Sequence, residues 1–124
     1  MLRLLFWLSA GLCGLLGFIH TGVTFVAYRT LSPGSIWFAG TGLSMLLLTI
    51  VNVAAWRASS GDRFLRYGAI AANLSMSALG FFAVKAVPEP QAYAVLAAFI
   101  GLLVSSLPRA PFWATADEQH ESAT

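Results

Sequence analysis

The chain has 124 residues, of which 58% are hydrophobic and 10% charged, with a net charge of +2 and a mean hydropathy of +0.77. Soluble domains have about 45–50% apolar and about 25% charged residues, and short chains bury only about two thirds of their surface, so an ordinary soluble domain is excluded. The basic residues do not cluster into the face that nucleic acid needs, and the single cysteine, Cys13, excludes an internal disulfide.

Four apolar stretches with no charged residue near their centres follow one another along the chain. They are residues 4–26, 36–56, 64–84 and 91–107. A helix crosses the hydrocarbon core with about 17–25 residues, and a charge at its centre costs at least about 2.5 kcal/mol. The pattern predicts an all-α integral membrane protein, with an antiparallel up-down four-helix bundle over residues 1–113. The polar segment 114–124 is predicted to be a disordered cytoplasmic tail.

Turn and capping residues separate these stretches. The Ser-Pro-Gly-Ser turn at 32–35 places Ser35 as the predicted N-cap of the second helix. Asp62 is the predicted N-cap of the third helix, and Pro90 is predicted in the first turn of the fourth.

Aromatic and basic residues indicate how the chain lies in the membrane. Every Trp and Tyr lies at or just beyond a span end, where interfacial rings are favoured. With the N-terminus inside, the cytoplasmic side holds five basic residues: Arg3, Arg57, Arg63, Arg66 and Arg109. The other side holds two, Arg29 and Lys85. This bias predicts that both ends are cytoplasmic, and the Arg-, Ala- and Gly-rich composition favours a bacterial inner membrane.

Small and amide side chains recur at helical spacing along the spans. Helices in lipid associate through small residues and interhelical hydrogen bonds, because the hydrophobic effect does not draw them together. The predicted helix-packing residues are Gly17, Gly40, Gly42, Asn52, Gly80 and Gly101.

One ionisable residue lies deep in a span besides Cys13, namely His20. Counting depth from the span ends predicts a ligand pocket around it, with Arg29 at the lip. The candidate pocket residues are His20, Thr24, Thr41, Ser44, Asn73 and Arg29. The same counting places Asn73 level with Thr49, and Asn52 nearer the cytoplasm.

His20 has two interpretations that the residues leave open. An intramembrane ionisable group is a candidate functional site because it is expensive to keep there. An imidazole facing hydroxyl groups is equally a hydrogen-bonded packing contact. No second buried histidine or carboxylate accompanies it, so no metal site, cofactor or catalytic residue is predicted.

The segment from Ser35 to Leu43 (SIWFAGTGL), with Asn52, His20 and Asn73, resembles small bacterial inner-membrane proteins to which no activity has been assigned. The overall architecture is similar to that of DoxX-like four-helix membrane proteins. The resemblance covers the first three spans and implies no activity. It directs attention to Trp37 and Gly40 beside the residues already named.

Three functional hypotheses follow. The first is a non-enzymatic accessory or assembly subunit, or a homo-oligomer, because the chain offers no reactive set of side chains. The second is a binder or carrier of a small hydrophobic or lipid-like molecule in a pocket around His20. An enzyme with His20 as a base is the third, and it lacks a second catalytic group at suitable spacing.

Overall fold

The computed structural model describes residues 1–58 and 62–107, and the predicted tail 114–124 lies outside these residues. The described fold is all-helical, as predicted, and has four helices. They are α1 (Leu2–Ala27), α2 (Pro33–Arg57), α3 (Arg63–Ala86) and α4 (Pro90–Ser106). Helices α1, α2 and α3 have 26, 25 and 24 residues and are long and apolar enough to cross a membrane. Helix α4 is a shorter apolar helix of 17 residues.

The start of α2 differs from the prediction. Its N-cap is Ser32 rather than Ser35, and the two serines form a reciprocal capping box. The Ser35 backbone N–H donates to Ser32 Oγ at 3.2 Å, and the Ser32 N–H donates to Ser35 Oγ at 2.9 Å. The helix begins earlier because Pro33 suits the first helical position, where its missing N–H is not needed. The predictions for Asp62 and Pro90 are confirmed.

Two glycines allow α1 and α2 to pack with their backbones in contact. A Cβ atom added to Gly17 would lie 2.9 Å from the carbonyl oxygen of Gly42 and 2.9 Å from the Cβ of Met45. One added to Gly42 would lie 2.7 Å from the backbone nitrogen of Thr21 and 2.8 Å from the carbonyl oxygen of Gly17. No larger residue fits either position without moving the helices apart.

The other predicted packing glycines divide into two groups. Gly101 of α4 lies against Ser9 of α1, where an added Cβ would overlap the serine hydroxyl. A Cβ on Gly80 of α3 would lie 3.2 Å from the Phe99 ring of α4. Gly40 instead faces open space, with no atom within 4 Å of an added Cβ, so it makes no close helix contact.

Contacts between helices α1, α2 and α4 form most of the apolar core. Its fully buried large side chains include Phe6, Met45 and Leu102, with Phe99 beside them. Near the start of α1, the Phe6 ring stacks on Trp56 near the end of α2, with ring centroids 4.0 Å apart and planes at 13°. Of the neighbouring helix pairs, α2 and α3 pack least extensively.

Substituting Gly42 by alanine tests the close contact of α1 and α2. We expect Gly42→Ala to lower the free energy of unfolding by about 1–3 kcal/mol, because the added methyl group must displace backbone. Gly40→Ala, two residues earlier on the same helix, adds the same group in open space and is expected to cause no loss. Unfolding in detergent, followed by circular dichroism, measures both variants. Equal losses would contradict the assigned contact.

Candidate functional site

The six residues predicted for the pocket do not line one cavity. Thr41 and Ser44 line a cleft between α2 and α3. Thr24 and Arg29 line a separate crevice near the end of α1. Asn73 is buried in the core, and His20 lines neither cavity.

The cleft between α2 and α3 has a volume of about 530 Å³. This lies within the roughly 300–1,000 Å³ range of small-molecule sites. One wall is the α2 face from Ile36 to Ser44, the other is the α3 face from Met76 to Ala83, and Phe99 of α4 contributes to its lining. The cleft is open to the surroundings of the bundle rather than sealed within it.

Small side chains and the limited packing of α2 against α3 together produce this cleft. Gly40 on α2 and Gly80 and Ala83 on α3 fill little of the space between the two helices. The two helices are held together outside the cleft by a contact between Asn52, in the second half of α2, and Asn73, near the middle of α3. The space therefore lies beside the first half of α2 and the second half of α3.

The two hydroxyl groups of the cleft already have acceptors. Thr41 Oγ1 donates to the Trp37 carbonyl at 2.9 Å, and Ser44 Oγ donates to the Gly40 carbonyl at 2.8 Å. Each hydroxyl oxygen retains lone pairs that can accept a further hydrogen bond. No charged side chain lines the cleft. The lining suits a mainly apolar molecule that carries a neutral hydrogen-bond donor.

His20 makes an aromatic contact. Its ring stacks on Phe38 of α2 with centroids 3.7 Å apart and planes at 17°. Thr24, one turn later on α1, donates a hydrogen bond from its Oγ1 to the His20 backbone carbonyl at 3.0 Å rather than to the imidazole ring. Among the described residues, no hydroxyl is hydrogen-bonded to the imidazole, so the predicted cluster of His20 with threonine and serine hydroxyls is not formed.

The amides of Asn52 and Asn73 form a reciprocal pair in the core. Each Nδ2 donates to the other's Oδ1 at 2.8 Å, and the side chains are 2% and 0% exposed. Asn52 Nδ2 also donates to the Leu48 carbonyl at 2.9 Å, and Asn73 Nδ2 to Ser106 Oγ at 3.4 Å. Both amides are thus satisfied by protein groups, which indicates a structural contact. Counting residues from the span ends places Asn52 and Asn73 at different depths in the membrane. The sequence signal for their pairing is that both side chains are amides.

Metal and general acid–base chemistry have no visible basis in the described residues. Nowhere in 1–58 and 62–107 do three His, Cys, Asp or Glu side chains come together in a way that would hold a metal ion. The lining of the cleft contains no histidine, cysteine or carboxylate.

No protein-family model, curated protein or solved structure matches this chain. The function is therefore argued from the geometry of the site.

Asn52→Ala is expected to destabilise the protein by about 1–2 kcal/mol, because it leaves the Asn73 amide buried without its partner. The double variant Asn52→Leu/Asn73→Leu should recover much of this loss, since it removes both polar groups together. Ser75→Ala, an exposed α3 position whose hydroxyl bonds within its own helix, serves as the control. Unfolding in detergent measures all three, and a double variant less stable than Asn52→Ala would contradict the pairing.

Proposed function

We propose that the chain is a multi-pass integral protein of the bacterial inner membrane, with four antiparallel up-down helices and both ends in the cytoplasm. The order of contacts between α1 and α2 supports an antiparallel pair. Phe6 contacts Trp56, Gly17 contacts Gly42, and the His20 ring contacts Phe38. As residue numbers increase along α1, the numbers of the residues they contact on α2 decrease.

The outer surface supports insertion into lipid. Large apolar side chains are exposed around the helices, including Phe25, Leu47, Phe64 and Phe82. Soluble monomers rarely expose contiguous apolar patches larger than a few hundred Å². Helix α4 spans about 25 Å at about 1.5 Å per residue, which is at the short end for a membrane helix.

Within this framework we propose that the protein binds or carries a small hydrophobic or lipid-like molecule in the cleft between α2 and α3. The observation that carries the proposal is the volume of about 530 Å³ beside two hydroxyl acceptors and no charge. A cleft that opens sideways on a membrane helix bundle receives its ligand from the hydrocarbon core. This cleft lies between α2 and α3, whereas the pocket predicted from the sequence is centred on His20 of α1.

A second candidate function is that of an accessory or assembly subunit, or a homo-oligomer. The outer face of α3 favours it, because small exposed residues recur there every three or four positions. They are Gly68, Ala71, Ser75 and Ala78. Such a face lets another membrane helix approach closely.

Cysteine labelling tests the proposed topology. Thr30→Cys is expected to react with a membrane-impermeant maleimide in intact spheroplasts, because the α1–α2 connection would face outward. Arg57→Cys is expected to react only after permeabilisation. The native Cys13 is buried and gives a low background. The reverse labelling pattern would refute the assigned orientation.

Filling the cleft tests ligand binding. Gly40→Phe is expected to fill the cleft with its ring, because Gly40 lines the cleft and nothing lies within 4 Å of an added Cβ. Gly11→Phe on the exposed face of α1 is the matched control, since nothing lies within 4 Å of its added Cβ either. Native mass spectrometry of the protein released from its own membrane in mild detergent is the measurement. We expect wild type and Gly11→Phe to carry the same bound small molecule, and Gly40→Phe to lose it.

The other outcomes separate the two candidate functions. Retention of the same molecule by Gly40→Phe would refute binding in the cleft. A stoichiometric protein partner on all three forms, with no small molecule on wild type, would favour the accessory-subunit function instead.

A further inference from the structure

A second cavity lies where α1 ends and α2 begins, apart from the cleft between α2 and α3. Its volume is about 360 Å³, and it contains residues of both helices and of the short connection between them. Arg29 is the only charged residue in its lining. Neither described carboxylate, Asp62 or Glu89, contributes to it.

The residues that follow α1 bring hydrogen-bond donors to the lining of this crevice. Arg29 supplies a guanidinium group, and Tyr28 and Thr30 supply hydroxyls. The backbone N–H groups of Arg29, Thr30 and Leu31 make no hydrogen bond to any described residue. A positive charge surrounded by unused donors, without a carboxylate beside it, is a site for an anion, and arginine binds phosphate oxygens in pairs.

The helices contribute apolar side chains to the same lining. Phe25 of α1 and Ile36 and Ala39 of α2 form its wall. The Tyr28 ring, which also lines the crevice, packs beside Phe38 with centroids 5.9 Å apart. A tyrosine at the end of a membrane helix suits the headgroup level of a bilayer. A ligand that satisfies both parts carries an anionic group at one end and a hydrocarbon chain at the other.

We propose that this crevice binds an anionic phospholipid, with its phosphate at Arg29 and Thr30 and the first part of an acyl chain against Phe25 and Ile36. The inference rests on the membrane insertion proposed above and is independent of the cleft between α2 and α3. The bound lipid would come from the outer leaflet, given that the α1–α2 connection faces outward.

A lipid competition experiment tests the proposal on the full chain. The protein in mild detergent is mixed with equal amounts of palmitoyl-oleoyl phosphatidylglycerol and palmitoyl-oleoyl phosphatidylcholine, and bound lipids are counted by native mass spectrometry. We expect wild type to prefer phosphatidylglycerol. Arg29→Gln should reduce that preference about fivefold, the effect of one interfacial arginine. Arg29→Lys should keep most of it, because the positive charge remains.

Arg3→Gln is the matched control, since it removes one exposed charge from the other end of α1 and from neither cavity. An equal loss in Arg3→Gln, or no preference in wild type, would overturn the proposed site. Glycerophosphate without acyl chains tests for a free-phosphate site. If it displaces phosphatidylglycerol at equal concentration, the lipid assignment is refuted.

The cleft variant separates this proposal from the proposed function. Gly40→Phe is expected to lose the ligand of the cleft and to keep the phosphatidylglycerol preference. Loss of the preference in Gly40→Phe would show that the lipid lies in the cleft and would overturn the assignment to Arg29.

Discussion

The reciprocal hydrogen bonds between Asn52 and Asn73 hold α2 to α3, whereas the two halves of the bundle also meet through α1 and α4, where Gly101 lies against Ser9. Helix α2 is fixed to α1 by the Gly17–Gly42 contact, and α3 is fixed to α4 around Gly80. Between α2 and α3, the amide pair is the specific polar contact among the described residues. The cleft lies beside the first half of α2, outside this junction.

The same physical constraint explains the choice of residues on both sides of this junction. In the membrane that we propose as the setting of this protein, lipid would surround apolar side chains about as well as protein does, so close backbone contact and hydrogen bonds would hold the helices together. Glycine provides the first at Gly17 and Gly42. Two amides that satisfy each other provide the second at a depth where an unpaired amide would be costly. The larger apolar residues then remain available for the outer surface.

The two cavities have complementary chemistry. Hydroxyl oxygens of Thr41 and Ser44 give the cleft between α2 and α3 hydrogen-bond acceptors without charge. The crevice at Arg29 has donors and a positive charge. Ile36 contributes to both linings, so the start of α2 separates the cleft proposed for a neutral apolar molecule from the crevice proposed for an anionic lipid. The earlier start of α2 at Pro33 places Ile36 in regular helix between the two cavities.

The sequence by itself determined the helices, because long apolar stretches and local caps such as Asp62 and Pro90 act over a few residues. It also identified Gly17 and Gly42 as packing positions, since small residues at helical spacing are the means of close approach in lipid. Only the tertiary structure decided that Asn73 pairs with Asn52, that Thr41 and Ser44 face α3, and that His20 stacks on Phe38. Counting residues gives the depth of a side chain along its helix. The rotation and tilt of one helix against another set which side chains meet, and these depend on all the contacts together.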